Sequence, residues 1–409
     1  MPSVRILHFA DAHIDMANYG RHDPESGLPV RVVDFLNALD QIIDFALDEQ
    51  VDLVLFAGDA YKDRNPHPTF QREWGRRMMR LSAAGIPTVL LVGNHDVSPA
   101  SGRAHTLQEY TTLNVPNVFV ADNFQLLGPA ELGIPLQIVA VPWLSRSQLL
   151  KRDELLELSH EDFLTEMETR VEDAVTGMIE SADPELPLVL TAHASVQGAK
   201  FGSERAVMLG QELVLGGRLV RHPRLDYVAL GHIHQHQDLN EGDRPPIVYP
   251  GSIERVDFGE MRETKGFVLA ELRQGHCDWR FIPLKTRRFL NYQVEPESAD
   301  SFMADVMAQL PEPAEVADAI CRVQLTYPRD WETMIDEAAI AERFAEALSF
   351  QLQKVRQTER RARLGEDSGL DALGPLDLLE TYWQTVEMEP AEAEKLQALA
   401  AEILFREDE

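Results

Sequence analysis

Cysteine is nearly absent: Cys277 and Cys321 are the only two in 409 residues. Two thiols that far apart make no disulfide framework and no thiolate metal motif. Long apolar runs are missing as well. No stretch approaches the roughly 20 residues needed to span a bilayer, so no membrane role is expected. Met1-Pro2-Ser3-Val4-Arg5 runs straight into a strand, without the layout of a signal peptide. The expectation is a cytoplasmic protein. Positive charge is also scarce, with 38 Lys and Arg against 68 Asp and Glu, a formal net charge of −30. Nucleic acid asks for a basic surface, so this balance counts at first sight against such a partner. The deficit is uneven, however. Asp153–Glu185 holds a single basic residue, Arg170, whereas Lys62–Arg103 is mildly basic. Net charge governs solubility and steering, not the chemistry of one site.

What is present is a large supply of core residues, 44% hydrophobic, in a chain long enough for two or three domains. There is no internal repeat and no low-complexity tract. The stretch Thr88–Asp96, Thr-Val-Leu-Leu-Val-Gly-Asn-His-Asp, is the organising feature. Its unbroken apolar run reads as a strand buried on both faces, and such strands deliver the residues after them to the carboxyl edge of a sheet. Upstream, Val4–Ala10 and Val51–Ala57 read as strands of the same kind, ending in Asp11-Ala12-His13 and Gly58-Asp59. Val32, Phe35, Leu36, Leu39, Ile42, Ile43 and Ala46 lie at helical spacing between them, and a second helix is expected over Thr69–Ala84. This is a βαβαβ alternation.

Further strands are expected at 118–120, 136–141, 186–192, 227–230 and 247–249, with a closing antiparallel pair at 266–272 and 277–284. An acidic amphipathic helix is expected over His160–Ile179. Beyond Lys285-Thr286-Arg287-Arg288 a smaller α/β unit begins, with strands at 289–294 and 320–327 and helices over 301–309 and Glu337–Arg363. Two short amphipathic helices, Leu376–Thr385 and Ala391–Phe405, follow a linker. The expected domains are 1–284, 285–345 and 346–409.

Two later strands also end in histidine, at His193 and at Gly231-His232-Ile233-His234. In one parallel-type sheet, Asp11, His13, Asp59, Asn94, His95, His193, His232 and His234 converge on one edge. Carboxylate, imidazole and amide donors without thiolate suit two divalent cations of the Mn, Fe or Zn kind. Asp59, on a central strand, is the natural bridge. Asp11, His13 and His234 would complete one site, and Asn94, His193 and His232 the other. Two such ions roughly 3.5–4 Å apart clamp the attacking and leaving oxygens of an in-line phosphoryl displacement. His95 is left as a non-ligand that can protonate the leaving alkoxide. An isolated Asp-x-His or core histidine is ordinarily structural; the ordered set, each member at a strand end, is not.

The order Asp-x-His, Gly-Asp, Gly-Asn-His-Asp, His, Gly-His-x-His resembles the calcineurin-like metallophosphoesterases, and within them the SbcD-type nuclease subunits. Tyr249-Pro250-Gly251-Ser252, Phe258-Gly259-Glu260 and Lys265-Gly266-Phe267 are similar to that family's segments after the catalytic motifs. The resemblance implies an α/β metallophosphoesterase sandwich, with mixed sheets flanked by helices, a smaller α/β capping domain and C-terminal helices. It implies a Mn²⁺-dependent DNA phosphodiesterase, with Mg²⁺, Fe²⁺ or Zn²⁺ as other occupants, acting in double-strand-break end processing. It implies a homodimer, through helices near Thr69–Ala84 and Arg103–Leu113, and an SbcC-like P-loop coiled-coil ATPase as partner of the C-terminal helices. Lys62 stands where relatives often carry a His or Asp. With Arg64 it is a candidate phosphate contact, or else a solvated loop residue. The basic group Lys354, Arg356, Arg360, Arg361 and Arg363 reads first as a solvated helix face. Two other functions fit the motifs: a phosphatase or nucleotide phosphodiesterase on a small substrate, and a weakly catalytic DNA-tethering scaffold.

Overall fold

The computed structural model describes residues 3–97, 104–143, 160–202, 214–357 and isolated positions between 376 and 400. The chain divides into two compact units: Met1–Asn291 with Pro311–Arg322 and Ala341–Gln351, and Tyr292–Leu310 with Val323–Ile340 and Leu352–Glu409.

The first unit is built on two six-stranded sheets. In the first, β1 (Val4–Phe9), β2 (Leu53–Phe56), β3 (Thr88–Leu91) and β4 (Val118–Ala121) run parallel. In the second, β6 (Gln137–Val141), β7 (Leu188–His193), β10 (Tyr227–Gly231) and β12 (Ile247–Tyr249) run parallel, with β5 (Gln125–Leu127) and β11 (Gln237–Asp238) antiparallel at its edges. The hairpin β13 (Gly266–Arg273) and β14 (His276–Pro283) closes the first sheet antiparallel to β1. The short strands β8 (Ser195–Val196) and β9 (Val214–Leu215) pair separately.

Side-chain alternation along the strands explains the layering. Ile6, Leu53, Leu55, Val89 and Leu91 share one buried cluster with Ile138, Ala140, Val189, Tyr227 and Ala229, which fills the space between the sheets. Their neighbours Leu7, Phe9, Val54, Phe56 and Leu90 point the other way, under helices α1 (Val30–Asp48) and α2 (Pro68–Ala83). On the far side, Leu188, Leu190, Val228 and Leu230 are covered by Val171, Val175 and Ile179 of the helix His160–Ser181. The result is a helix–sheet–sheet–helix sandwich. Each fully buried aliphatic or Phe side chain contributes roughly 1.5–3 kcal/mol. Two sheets therefore form the sandwich of mixed sheets flanked by helices that the resemblance implies, although the strand pattern by itself reads as one sheet. Runs buried on both faces look alike whether the second face meets a helix or another sheet.

The expected strands and the helices over α1, α2 and His160–Ile179 form with ends shifted by a few residues. Pro68 enters the first turn of α2, and His67 caps it by accepting the Thr69 N–H at 3.2 Å. The helix expected over Glu337–Arg363 is a correction. Among its described residues only Glu337–Arg343 is helical, and Ser349–Gln357 is strand β17, next to β16 (Ile320–Pro328), which also neighbours β15 (Phe289–Val294). In Phe350-Gln351-Leu352-Gln353 alternate residues are half-buried and exposed, a period of two that the helical reading overrode. Lys354 and Arg356 thus lie on a strand, paired with Glu337 and Glu332 at 2.8 Å each. Arg360, Arg361, Arg363, Arg103 and most of Leu376–Thr385 and Ala391–Phe405 lie outside the described residues. Within the second unit, Phe302 of the helix Phe302–Gln309 packs edge-on against Trp331. Among the described residues, no helix is long and apolar enough to cross a membrane.

Candidate metal centre

The carboxyl ends of β1, β2 and β3 in one sheet and of β7 and β10 in the other come together. Backbone hydrogen bonds stitch the loops before any side chain is considered. The Asp11 N–H donates to Gly58 O at 2.9 Å, and the Ala12 and His13 N–H groups both donate to Asp59 O. These turns are tight. Asp11, His13, Asp59 and His232 all take left-handed backbone, with φ of 51°, 38°, 65° and 99°. Strained backbone at non-glycine residues clusters where a site demands it. Two glycines make room. A Cβ at Gly93 would lie 2.2 Å from Asp59 Oδ1, and one at Gly58, itself at φ 103°, would lie 2.3 Å from His193 Nδ1.

All eight residues singled out in the sequence meet here. Asp11, His13 and His234 offer ligand atoms within 4.8 Å of one another, and so do Asp11, Asp59 and His193. Asp59 Oδ2 lies 3.4 Å from His193 Nε2 and 4.0 Å from His13 Nε2, between the two halves. Asn94 Oδ1 faces His193 Nε2 at 2.9 Å and His232 Nδ1 at 3.0 Å. His95 stands beside His13, ring centres 5.1 Å apart, with its backbone N–H donating to Asp59 Oδ1 at 2.8 Å. Lys62 and Arg64 are not in this cluster. They line an open groove of about 970 Å³ that begins at His95 and includes Asn18 and Phe70.

The donor set fits cations, as the hydrogen bonds on the outer ring nitrogens make plain. His193 Nδ1–H donates to Ala57 O at 2.7 Å, His13 Nδ1–H to Tyr61 O at 3.3 Å, and His234 Nδ1–H to Glu260 Oε1 at 2.7 Å. Each ring therefore turns an Nε2 lone pair inward. His13 and His234 Nε2 atoms face each other at 3.1 Å, an arrangement of two acceptors that calls for a proton or a cation between them. Electrostatics tell the same story. Burial disfavours charge on His193 and His234, yet Asp59 and Asp11 around the first and Glu260 beside the second push both rings up to about 9. Burial also works against Asp59, but the field of His193, its hydrogen bond and the nearby His95 and His13 rings hold the carboxyl well below the usual range. Burial raises Asp11 and pulls His13 down. Protonated rings occupy electrostatically the place that divalent cations would take.

Four contributors had no role assigned from the sequence. Asp96, fully buried, accepts from the N–H groups of Asp59, Ala60 and Gly93 at 2.9–3.1 Å and ties the loops after β2 and β3 together. Burial and the neighbouring Asp59 push its carboxyl up to about 6. Glu260 orients His234 and is itself paired with buried Lys265 at 2.9 Å. Burial opposes its charge, but Lys265 and His234 hold it below the ordinary range. Trp143 packs against His232, ring centres 5.1 Å apart. The Phe-Gly-Glu and Lys-Gly-Phe segments carried the resemblance, but nothing in them pairs Glu260 with Lys265. His236, which continues the alternation of His232 and His234, donates Nδ1–H to Tyr249 O at 2.8 Å and stacks on Phe281, outside the cluster.

Over residues 4–236 the sequence matches the calcineurin-like phosphoesterase family. Among solved structures, a dimetal phosphatase from Danio rerio is 12% identical, with 69% of this chain and 97% of that one covered, at a TM-score of 0.39. The protein TT1561 of Thermus thermophilus is 14% identical, with 68% and 99% covered, at a TM-score of 0.37.

Proposed function

The chain belongs to the calcineurin-like phosphoesterase family, and from that premise we propose that it is a metal-dependent DNA phosphodiesterase, the nuclease subunit of an ATPase-coupled complex that processes double-strand ends. Family membership implies a metal-dependent phosphoester hydrolase that uses two divalent metals. The observation that carries the finer reading is the convergence of the eight side chains beside an open groove of about 970 Å³ whose walls include Lys62 and Arg64. A phosphate monoester needs far less room. A strand running along the groove would set its phosphates near two cationic side chains.

Asp11, His13, Asp59 and His234 would hold one cation, and Asp59, Asn94, His193 and His232 the other. Bound there, the pair supplies Lewis-acid polarisation of the phosphoryl group and activation of a water. Mn²⁺ is the preferred occupant by resemblance. The protein's own part is positional. Backbone carbonyls and Glu260 fix the ring orientations, so the site is arranged before substrate arrives. His95, with Nδ1–H held by the Lys62 carbonyl at 2.6 Å, turns Nε2 outward, so that the protonated ring can give its Nε2 proton to the departing alkoxide and keep the one on Nδ1. The C-terminal region would engage the ATPase, α2 would serve a homodimer, and the complex would act in the cytoplasm.

Linear duplex and hairpin DNA with Mn²⁺, assayed beside p-nitrophenyl phosphate esters, test the substrate. Cleavage of DNA is expected. Turnover of the esters alone would place the chain among small-substrate phosphodiesterases, a reading favoured by one observation, the net charge of −30.

A further inference from the structure

Asp15 lies two residues beyond His13, half-buried, at the edge of the groove. Its carboxylate bonds to neither neighbouring strand nor helix. Instead it accepts two backbone N–H groups from a loop far away in sequence, Lys62 at 2.5 Å and Asp63 at 3.0 Å. The second of these matters most. The N–H of Asp63 and the C=O of Lys62 belong to one trans peptide, which is planar and rigid, with its two dipolar ends pointing in opposite directions. The Lys62 C=O is the group that accepts His95 Nδ1–H. One peptide plane is thus clamped at both ends, by a carboxylate on its donor side and by the imidazole on its acceptor side. An anion at the N–H end polarises the peptide and strengthens the carbonyl as an acceptor.

We propose that Asp15 is a positioning residue for His95, acting through the Lys62–Asp63 peptide to fix the ring's orientation and hold its Nδ1–H, so that the Nε2–H of the protonated ring faces the leaving group and the ring is left neutral, protonated on Nδ1, after the transfer. This rests on the reading of His95 given above. Asp96 pins the same loop at its start, through the N–H groups of Asp59 and Ala60, and serves the ligand Asp59. Asp15 pins its far end and serves His95. The two carboxylates divide one loop between holding the centre and aiming the acid.

The test uses the full-length protein and the variants Asp15→Asn, Asp15→Glu and His95→Ala. Asp15→Asn keeps the shape but turns at most one oxygen, uncharged, toward two donors. Three quantities are read: Mn²⁺ stoichiometry and affinity by calorimetry, the ring Nδ1–H signal of His95 by ¹⁵N NMR of the metal-free protein, and cleavage of two substrates. A dithymidine phosphodiester leaves as an alkoxide and needs the proton; bis-p-nitrophenyl phosphate leaves as a stable phenolate and does not. Asp15→Asn is expected to bind Mn²⁺ as the wild type does and to shift the Nδ1–H signal. It should lose about tenfold or more on the dinucleotide but less than about threefold on the nitrophenyl ester. Asp15→Glu, which keeps the charge, should recover part of that loss. A selective loss in His95→Ala that Asp15→Asn does not share, with an unmoved ring signal, overturns the proposal and leaves the His95 reading standing. Equal loss on both substrates in His95→Ala overturns that reading and the proposal with it. Loss of Mn²⁺ binding in both Asp15 variants would make the residue a general support of the loop, and also overturns it.

Discussion

The two halves of the centre are held in different ways. On one side, His234 is oriented by Glu260, a buried carboxylate balanced by buried Lys265. On the other, His193 is oriented by the neutral carbonyl of Ala57, and its inner nitrogen also meets the amide oxygen of Asn94 at 2.9 Å. A charged outer partner makes the imidazole a stronger donor to a cation; a peptide carbonyl does so less. A side-chain partner can be removed by substitution, whereas the backbone partner can be disturbed only through its surroundings. The halves therefore share Asp59 but not their vulnerability.

His95 belongs to neither half, and its removal gives the largest effect. His95→Ala should retain both metals, measured by calorimetry, and lose about 10²–10⁴-fold in DNA cleavage rate. Unequal loss of metal from the two halves would show that the ring supports one of them. Next comes Glu260→Gln, which should weaken only the His234 half, by about 10–100-fold in metal affinity. Two resolved binding steps in a titration, one of them unmoved, would sharpen the contrast; equal weakening of both would break it. Gly58→Ala probes the other half, because the new Cβ meets His193 and the backbone at φ 103° disfavours it. A loss of about 1–3 kcal/mol in denaturant unfolding is expected, with the weaker metal step now the His193 one.

The smallest effect is shared by both halves. In the metal-free protein His193 and His234 titrate near 9, above the 6.5 of an unfolded chain. A raised histidine contributes stability fully present below pH 6.5 and lost as pH rises through about 9. The thermal midpoint without metal should therefore fall across that window. Saturating Mn²⁺ should abolish the fall, since it replaces the protons, and its apparent affinity should rise with pH.

The strands that deliver the ligands were legible because a buried apolar run ending in Gly-Asp or Gly-Asn-His is a local pattern. The division into two sheets was legible only through the family resemblance, not in the strand pattern, since Leu53 and Leu55 face a second sheet while Val54 and Phe56 face helices, and all are equally apolar. Glu260 and Lys265 escaped because a buried ion pair is defined by its partner, five residues along a turn, and looks in sequence like two surface charges. Asp96 and Asp15 escaped for a related reason: their partners are backbone N–H groups, which leave no trace in residue type. The strand at Ser349–Gln357 was lost to a helical period that Ile340, Phe344 and Ala347 do satisfy, up to the turn that ends it.

Everything rests on one cage closing around a pair of ions. Anomalous scattering from crystals soaked in Mn²⁺ addresses it directly. Two peaks about 3.5–4 Å apart, one beside Asp11, His13 and His234 and one beside Asn94, His193 and His232, with Asp59 reaching both, are predicted. An empty cluster at saturating metal, or a single ion bound away from Asp59, would contradict it.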